Sequence, residues 1–161
     1  MISETNKQFD IFFEQVKDII NSSEVQRLDK CSHHYRSTRL QHCINVAYCS
    51  FLICHELGWD FSSAARGGLL HDLFYYECKN VHPGIIRHAI LHPKIALRRA
   101  ERLCKLNPIE RDIILRHMFL PSLIPPKYKE SFIVCMVDKY CATYEALHGM
   151  MEMMKIKFAF R

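Results

Sequence analysis

Residues that break helices are scarce in this 161-residue chain, which has only 5 glycines and 6 prolines. Its apolar residues recur at helical rather than alternating spacing, which argues against a β-sandwich or barrel built on a period of two. No stretch approaches the roughly 18 apolar residues of a membrane span. The polar stretch from Met1 to Asp10 lacks the apolar core of a secretory leader. The net charge of +5 is scattered, with no block of about five like charges, so charge does not point to a nucleic-acid partner. The eight cysteines include no Cys-x-x-Cys pair, and most fall in apolar helical stretches. They are expected to be free, buried thiols in a cytoplasmic protein.

An apolar content of 49% is enough for one core without a disulfide framework. The expected fold is all-α, a single-domain helical bundle over residues 1–161, with its core at about 36–147 and a first helix over 5–20 packed on it. Phe9, Phe12, Phe13, Val16, Ile19 and Ile20 mark that helix. Thr38 and Gln41, in capping-box spacing, open a second, and Gly58 suits its left-handed end. Asp60 and Ser62 offer N-caps for a third, where Gly67 and Gly68 imply close backbone packing. Pro93 and Pro108 read as first helical positions, Pro121, Pro125 and Pro126 as a loop, and a last helix as spanning about Lys127 to Leu147, ending near Gly149.

Against this helical background stand His42, the adjacent His71 and Asp72, His92, His117 and Asp138. An imidazole or carboxylate among Leu, Ile and Val costs several kcal/mol unless it is paired or binds a cation. One shared metal site would satisfy all six from separate helices. Mixed nitrogen and carboxylate donors suit Fe, Mn, Co, Ni or Zn better than Ca or Mg.

The order His42, His71-Asp72, Asp138 resembles the H…HD…D signature of the HD superfamily of metal-dependent phosphohydrolases. The strings Leu40-Gln41-His42, Gly67-Gly68-Leu69-Leu70-His71-Asp72 and Val137-Asp138-Lys139-Tyr140 carry that resemblance over about residues 36–147. It implies a helical bundle holding a divalent metal through His42, His71, Asp72 and Asp138. Leu91-His92-Pro93 and His117 resemble the extra ligands of dinuclear branches, in which the aspartate of the HD pair bridges two ions. One or two ions per chain are therefore expected. The lysine of an HD-x-x-K motif is absent, since Leu73, Phe74 and Tyr75 follow the pair. The glycine-tyrosine-proline signature of cyclic dinucleotide phosphodiesterases is absent as well, because Met118-Phe119-Leu120-Pro121 follows His117. Cyclic di-GMP hydrolysis is not expected.

The function this implies is hydrolysis of a phosphate ester, such as a nucleotide or related small metabolite, by a metal-activated water. Asp72 would orient the nucleophile, with Arg36 and Arg39 as phosphate-binding candidates. A nucleotide sensor without turnover and a di-iron oxygenase are the alternatives, and homo-oligomers are compatible with the sequence. His88, one turn before His92, is a supporting candidate. Tyr75, Tyr76 and Glu77 could line the mouth of the site. His33, His34, His55, His82 and His148 match no ligand position.

Overall fold

The computed structural model describes the backbone of residues 2–31, 37–75 and 85–159, and side chains over 7–31, 37–75 and 88–148. Among the described residues there are eight α-helices and no strand: α1 (Ile2–Ile20), α2 (Ser23–Gln26), α3 (Arg39–Glu56), α4 (Phe61–Leu70), α5 (Ile85–Leu103), α6 (Pro108–Arg116), α7 (Phe119–Ser122) and α8 (Lys129–Ala159). They form one all-α bundle, in which α3 packs on α4 and α8, and α6 packs on α4, α5 and α8. No helix among the described residues is long and apolar enough to cross a membrane.

Helix α1 buries Phe12, Val16 and Ile19, while Phe9 and Phe13 are 52% and 38% exposed. The buttressing stripe is thus narrower than the sequence pattern. Phe12 meets Tyr48 and Phe51 edge-on at 5.1 and 5.5 Å, a favoured aromatic geometry. A core between α1, α3, α4 and α5 includes Phe12, Phe51, Leu69 and Leu70. A second, between α3, α4, α6 and α8, includes Val46, Ile113 and Val134.

Local signals set most helix ends. Thr38 Oγ1 accepts the Gln41 N–H at 3.2 Å, but the Gln41 side chain donates to Asn45 at 2.9 Å, so only half of a capping box forms. Gly58 adopts φ +64° after α3, and Asp60 accepts the Ser63 N–H at 2.9 Å to start α4. Asn107 and Glu110 form a complete capping box on α6.

The paired glycines seat α4 between its neighbours. A Cβ on Gly68 would fall 2.9 Å from the Ala47 backbone of α3, and one on Gly67 would fall 2.7 Å from Ile113 Cδ1 of α6. This close approach offsets the roughly 1 kcal/mol helix penalty of each glycine.

Four expectations from the sequence are corrected. Pro121, expected in the loop with Pro125 and Pro126, lies inside the one-turn helix α7. Pro93 does not start a helix; it lies inside the continuous α5. Its missing N–H removes the helical donor to the Ala89 carbonyl, a local cost offset by the packing of Ala89, His92, Ala96 and Ala100 along one buried face of α5. Helix α8 continues through Gly149 to Ala159, because one glycine costs only about 1 kcal/mol and the following Met, Glu and Lys favour helix. Finally, Cys31 is disulfide-bonded, its partner lying outside the described residues, whereas Cys43, Cys49, Cys54, Cys104, Cys135 and Cys141 are free. Cys31 is also buried, and burial alone does not distinguish a thiol from half a cystine.

Candidate metal centre

Five helices deliver the six predicted ligands to one interior point. His42 lies on the first turn of α3 and His71 caps the C-terminus of α4, with Asp72 next in the chain. His92 is central in α5, His117 caps α6, and Asp138 lies within α8. All six are at most 8% exposed.

The outward nitrogen of each imidazole is already engaged. Nδ1 of His71, His92 and His117 meets the carbonyls of Gly68, His88 and Ile114 at 2.7, 2.8 and 2.8 Å. His42 Nδ1 meets Glu145 Oε2 at 3.2 Å. A nitrogen facing a carbonyl must carry the proton, so in each neutral ring Nε2 holds the lone pair, and every Nε2 points inward.

Those inward atoms converge on two carboxylates. His42 Nε2 is 3.1 Å from Asp138 Oδ1. His71 Nε2 is 3.7 Å from the same oxygen and 4.0 Å from Asp72 Oδ1, too far for a hydrogen bond, and has no hydrogen-bond partner among the described residues. His92 and His117 present Nε2 at 3.4 and 3.5 Å from Asp72 Oδ1. Two donor groups result, His42 with His71 and Asp72, and Asp72 with His92 and His117, each with donor atoms within 4.8 Å of one another. Asp138 adjoins the first. Donors about 2.1 Å from one ion stand about 3.0–3.4 Å apart, so small adjustments bring these groups onto a cation. The donor set fits a divalent transition ion, and Asp72 is shared by both groups.

Electrostatics divides the histidines. Burial, only partly opposed by Asp72, lowers the pKa of His92. Burial together with His92 and His71 places His117 well below the ordinary value. For His42 burial also acts downward, but hydrogen bonds to Asp138 and Glu145 raise its pKa to about 9. Burial would raise both aspartates. His71, His92, His117 and Arg39 instead hold Asp72 well below the carboxylate range, and nearby His42, His71 and Lys139 do the same for Asp138.

Arg39 is 1% exposed. Its Nη1 donates to the Phe74 carbonyl at 3.0 Å, its guanidinium lies 3.9 Å over the Phe74 ring, and Nε is 3.9 Å from Asp72 Oδ2. It is therefore placed against the shared carboxylate. Lys139 donates to Asp138 Oδ2 at 2.5 Å and to the His117 carbonyl at 3.2 Å. Arg66 is paired with Asp18 and Glu110, and Arg116 with Asp112. A cavity of about 300 Å³ beside α5 and α6 includes Pro93, Lys94, Leu115 and Arg116 in its wall but none of the six ligands.

Of the other residues singled out by sequence, His88 stacks on His92 with ring centroids 4.3 Å apart, and Tyr75 is buried with its hydroxyl on the Glu24 carbonyl. His55 packs between Phe51 and Phe61, and His148 stacks on Tyr144. Arg36, Tyr76, Glu77, His33, His34 and His82 lie outside the described residues. Sequence reasoning missed Glu145, although its position seven residues after Asp138 places it two turns along the same face of α8.

No protein-family model, curated protein or solved structure matches this chain.

Proposed function

We propose that this chain is an HD-type metal-dependent phosphohydrolase acting on a small phosphate ester such as a nucleotide. The observation that carries this reading is the convergence of four inward Nε2 atoms on Asp72 and Asp138 while every Nδ1 is held from outside. The ligand order along the chain, with His71 and Asp72 adjacent, supports the HD assignment.

In this reading His42, His71, Asp72 and Asp138 hold one divalent transition ion, and Asp72, His92 and His117 hold a second. A bound ion of this kind supplies a Lewis acid and makes water acidic enough to react near neutral pH. Asp72 contributes its charge to both positions. Arg39, buried with Nε 3.9 Å from Asp72 Oδ2, supplies a positive charge beside the shared carboxylate rather than gripping substrate at an open surface. Lys139, with 30% of its side chain exposed, presents a positive charge beside Asp138 that suits a phosphoryl oxygen.

The test begins with chelator-treated protein reloaded with Mn²⁺ or Fe²⁺ and assayed for phosphate release from nucleotides and simple phosphodiesters. Turnover that disappears with chelator and returns with the ion supports the proposal. Ion-dependent nucleotide binding without turnover would replace it with the sensor reading. Substrate-dependent oxygen uptake by iron-loaded protein would replace it with the oxygenase reading.

A further inference from the structure

Three of the four site histidines are held from behind by the backbone of their own helix. His71, His92 and His117 use the carbonyls of Gly68, His88 and Ile114, three or four residues earlier. His42 differs, because its Nδ1 meets a carboxylate on another helix, Glu145 of α8, at 3.2 Å. The same carboxylate accepts the Asn45 amide on Oε1 at 3.1 Å and the Ser37 hydroxyl on Oε2 at 3.3 Å. Its side chain is 9% exposed.

Helix α8 therefore grips both nitrogens of one imidazole, Asp138 from the inner side and Glu145 from the outer. A carboxylate behind a ligating histidine fixes the tautomer and ring plane and makes the inner nitrogen a stronger donor than a neutral carbonyl does. Removing such a partner typically costs about 10–100-fold in metal affinity. The two donor groups are consequently unequal. The His42 group has a carboxylate-backed imidazole and adjoins Asp138; the His92 and His117 imidazoles have only carbonyls behind them.

We propose that Glu145 is a positioning residue for His42 that makes the His42–His71–Asp72–Asp138 side the tight metal position and leaves the His92–His117 side the weaker, exchangeable one. This rests on the metal-centre reading above and adds an order of loading to it. When metal is limiting, the first ion occupies the His42 side. The second is lost first on dilution or mild chelation.

The experiment is a calorimetric titration of chelator-treated full-length chain with Co²⁺, followed in parallel by the visible spectrum. Wild type, Glu145→Gln, Asn45→Ala and His117→Ala are compared, and metal-free melting is recorded for each. Wild type is expected to show a tight event and a weaker one. Glu145→Gln keeps the side-chain volume but not the charge, and should weaken the tight event about 10–100-fold and alter its spectrum while sparing the weaker event. Metal-free melting should fall modestly at neutral pH, because Glu145 also partners His42 there and helps to raise its pKa. Asn45→Ala, which removes a support of Glu145 without touching His42, should weaken the tight event less. His117→Ala should abolish the weaker event alone.

An unchanged tight event in both Glu145→Gln and Asn45→Ala overturns the proposal. So does a loss shared by both binding events in proportion to a lowered metal-free melting point, which would make Glu145 a helix tie. If Glu145→Gln does not fold, Asn45→Ala decides. Wild type that binds no Co²⁺ would instead remove the metal-centre reading itself.

Discussion

His92 Nε2 lies 2.7 Å from His117 Nε2, and both rings have already committed Nδ1 to a backbone carbonyl. With both pKa values lowered by burial, the two rings at neutral pH turn lone pairs toward each other. That contact is unfavourable unless positive charge stands between them. It is the clearest local reason to place a cation at the second donor group.

Ligand removal should separate the two positions. Asp72→Ala takes away the donor common to both groups, so it should leave little metal after desalting. His117→Ala should retain close to one ion per chain, because the first group is intact. Elemental analysis of variants with native helicity and melting checks this. A His117→Ala protein that matches wild type in both metal content and turnover would contradict the dinuclear assignment.

Stability of the chelated protein should peak near pH 6.5. Below the ordinary imidazole value of 6.5, the unfolded chain takes up protons that His92 and His117 refuse in the fold, so stability falls with pH. Asp72 and Asp138, depressed below 3.8, add a further loss at lower pH. His42 has the opposite sign. Its raised value contributes stability that is full below 6.5 and is lost as pH rises through about 9. Bound metal displaces the His42 proton, so loading should flatten the slope between pH 6.5 and 9, where neither the loaded fold nor the unfolded chain then carries that proton. Melting scans across pH, with and without Mn²⁺, measure both slopes.

The two glycines of α4 should respond unequally to alanine. At position 68 the new Cβ meets Ala47 backbone at 2.9 Å, and forcing α4 off α3 should cost about 1–3 kcal/mol. At position 67 it meets Ile113 Cδ1, Cγ2 and Cβ at 2.7, 2.9 and 3.0 Å. Cδ1 can swing aside, but the buried, β-branched Ile113 keeps Cγ2 and Cβ in place, so the gain of about 1 kcal/mol from losing a helical glycine offsets only part of the clash. Urea denaturation should therefore show both variants destabilised, Gly68→Ala, which meets fixed backbone, the more strongly. Gly68→Ala should also weaken metal retention, because the Gly68 carbonyl orients His71.

Arg39→Met should destabilise the metal-free protein by about 3 kcal/mol, since it leaves the Asp72 charge and the Phe74 carbonyl without a buried cationic partner. Arg39→Lys retains charge but cannot reproduce the fork over Phe74, and should fall between the two. Chemical denaturation at pH 7 ranks the three proteins; equal stability of all three would refute a supporting role for Arg39.

The helices were legible where local chemistry decides them. Thr38, Gly58, Asp60 and Asn107 stand at the ends they announce. Pro93 misled because its usual meaning is local, whereas the burial of Ala89, His92, Ala96 and Ala100 along one face is tertiary. The six proposed ligands were visible as polar residues in apolar surroundings, and the structure brings them together. Glu145 was not, because its partner His42 is 103 residues away and no local motif connects them. The Cys31 disulfide was obscured by surrounding apolar sequence that suits a thiol equally well.

The two halves of the site close chain loops of very different size. His92 and His117 are 25 residues apart, whereas His42 and Asp138 are 96 apart. Loop-closure entropy makes the longer connection costlier by only about 1 kcal/mol at equilibrium, but the search for a distant partner slows folding far more than it weakens the fold. The α5–α6 hairpin is thus expected to bring His92 and His117 together early, and docking of α8 on α3 to complete the His42 side last. In stopped-flow refolding with Co²⁺ present, the spectrum of the tight site should appear with the slowest folding phase; its appearance in an earlier phase would reverse that order.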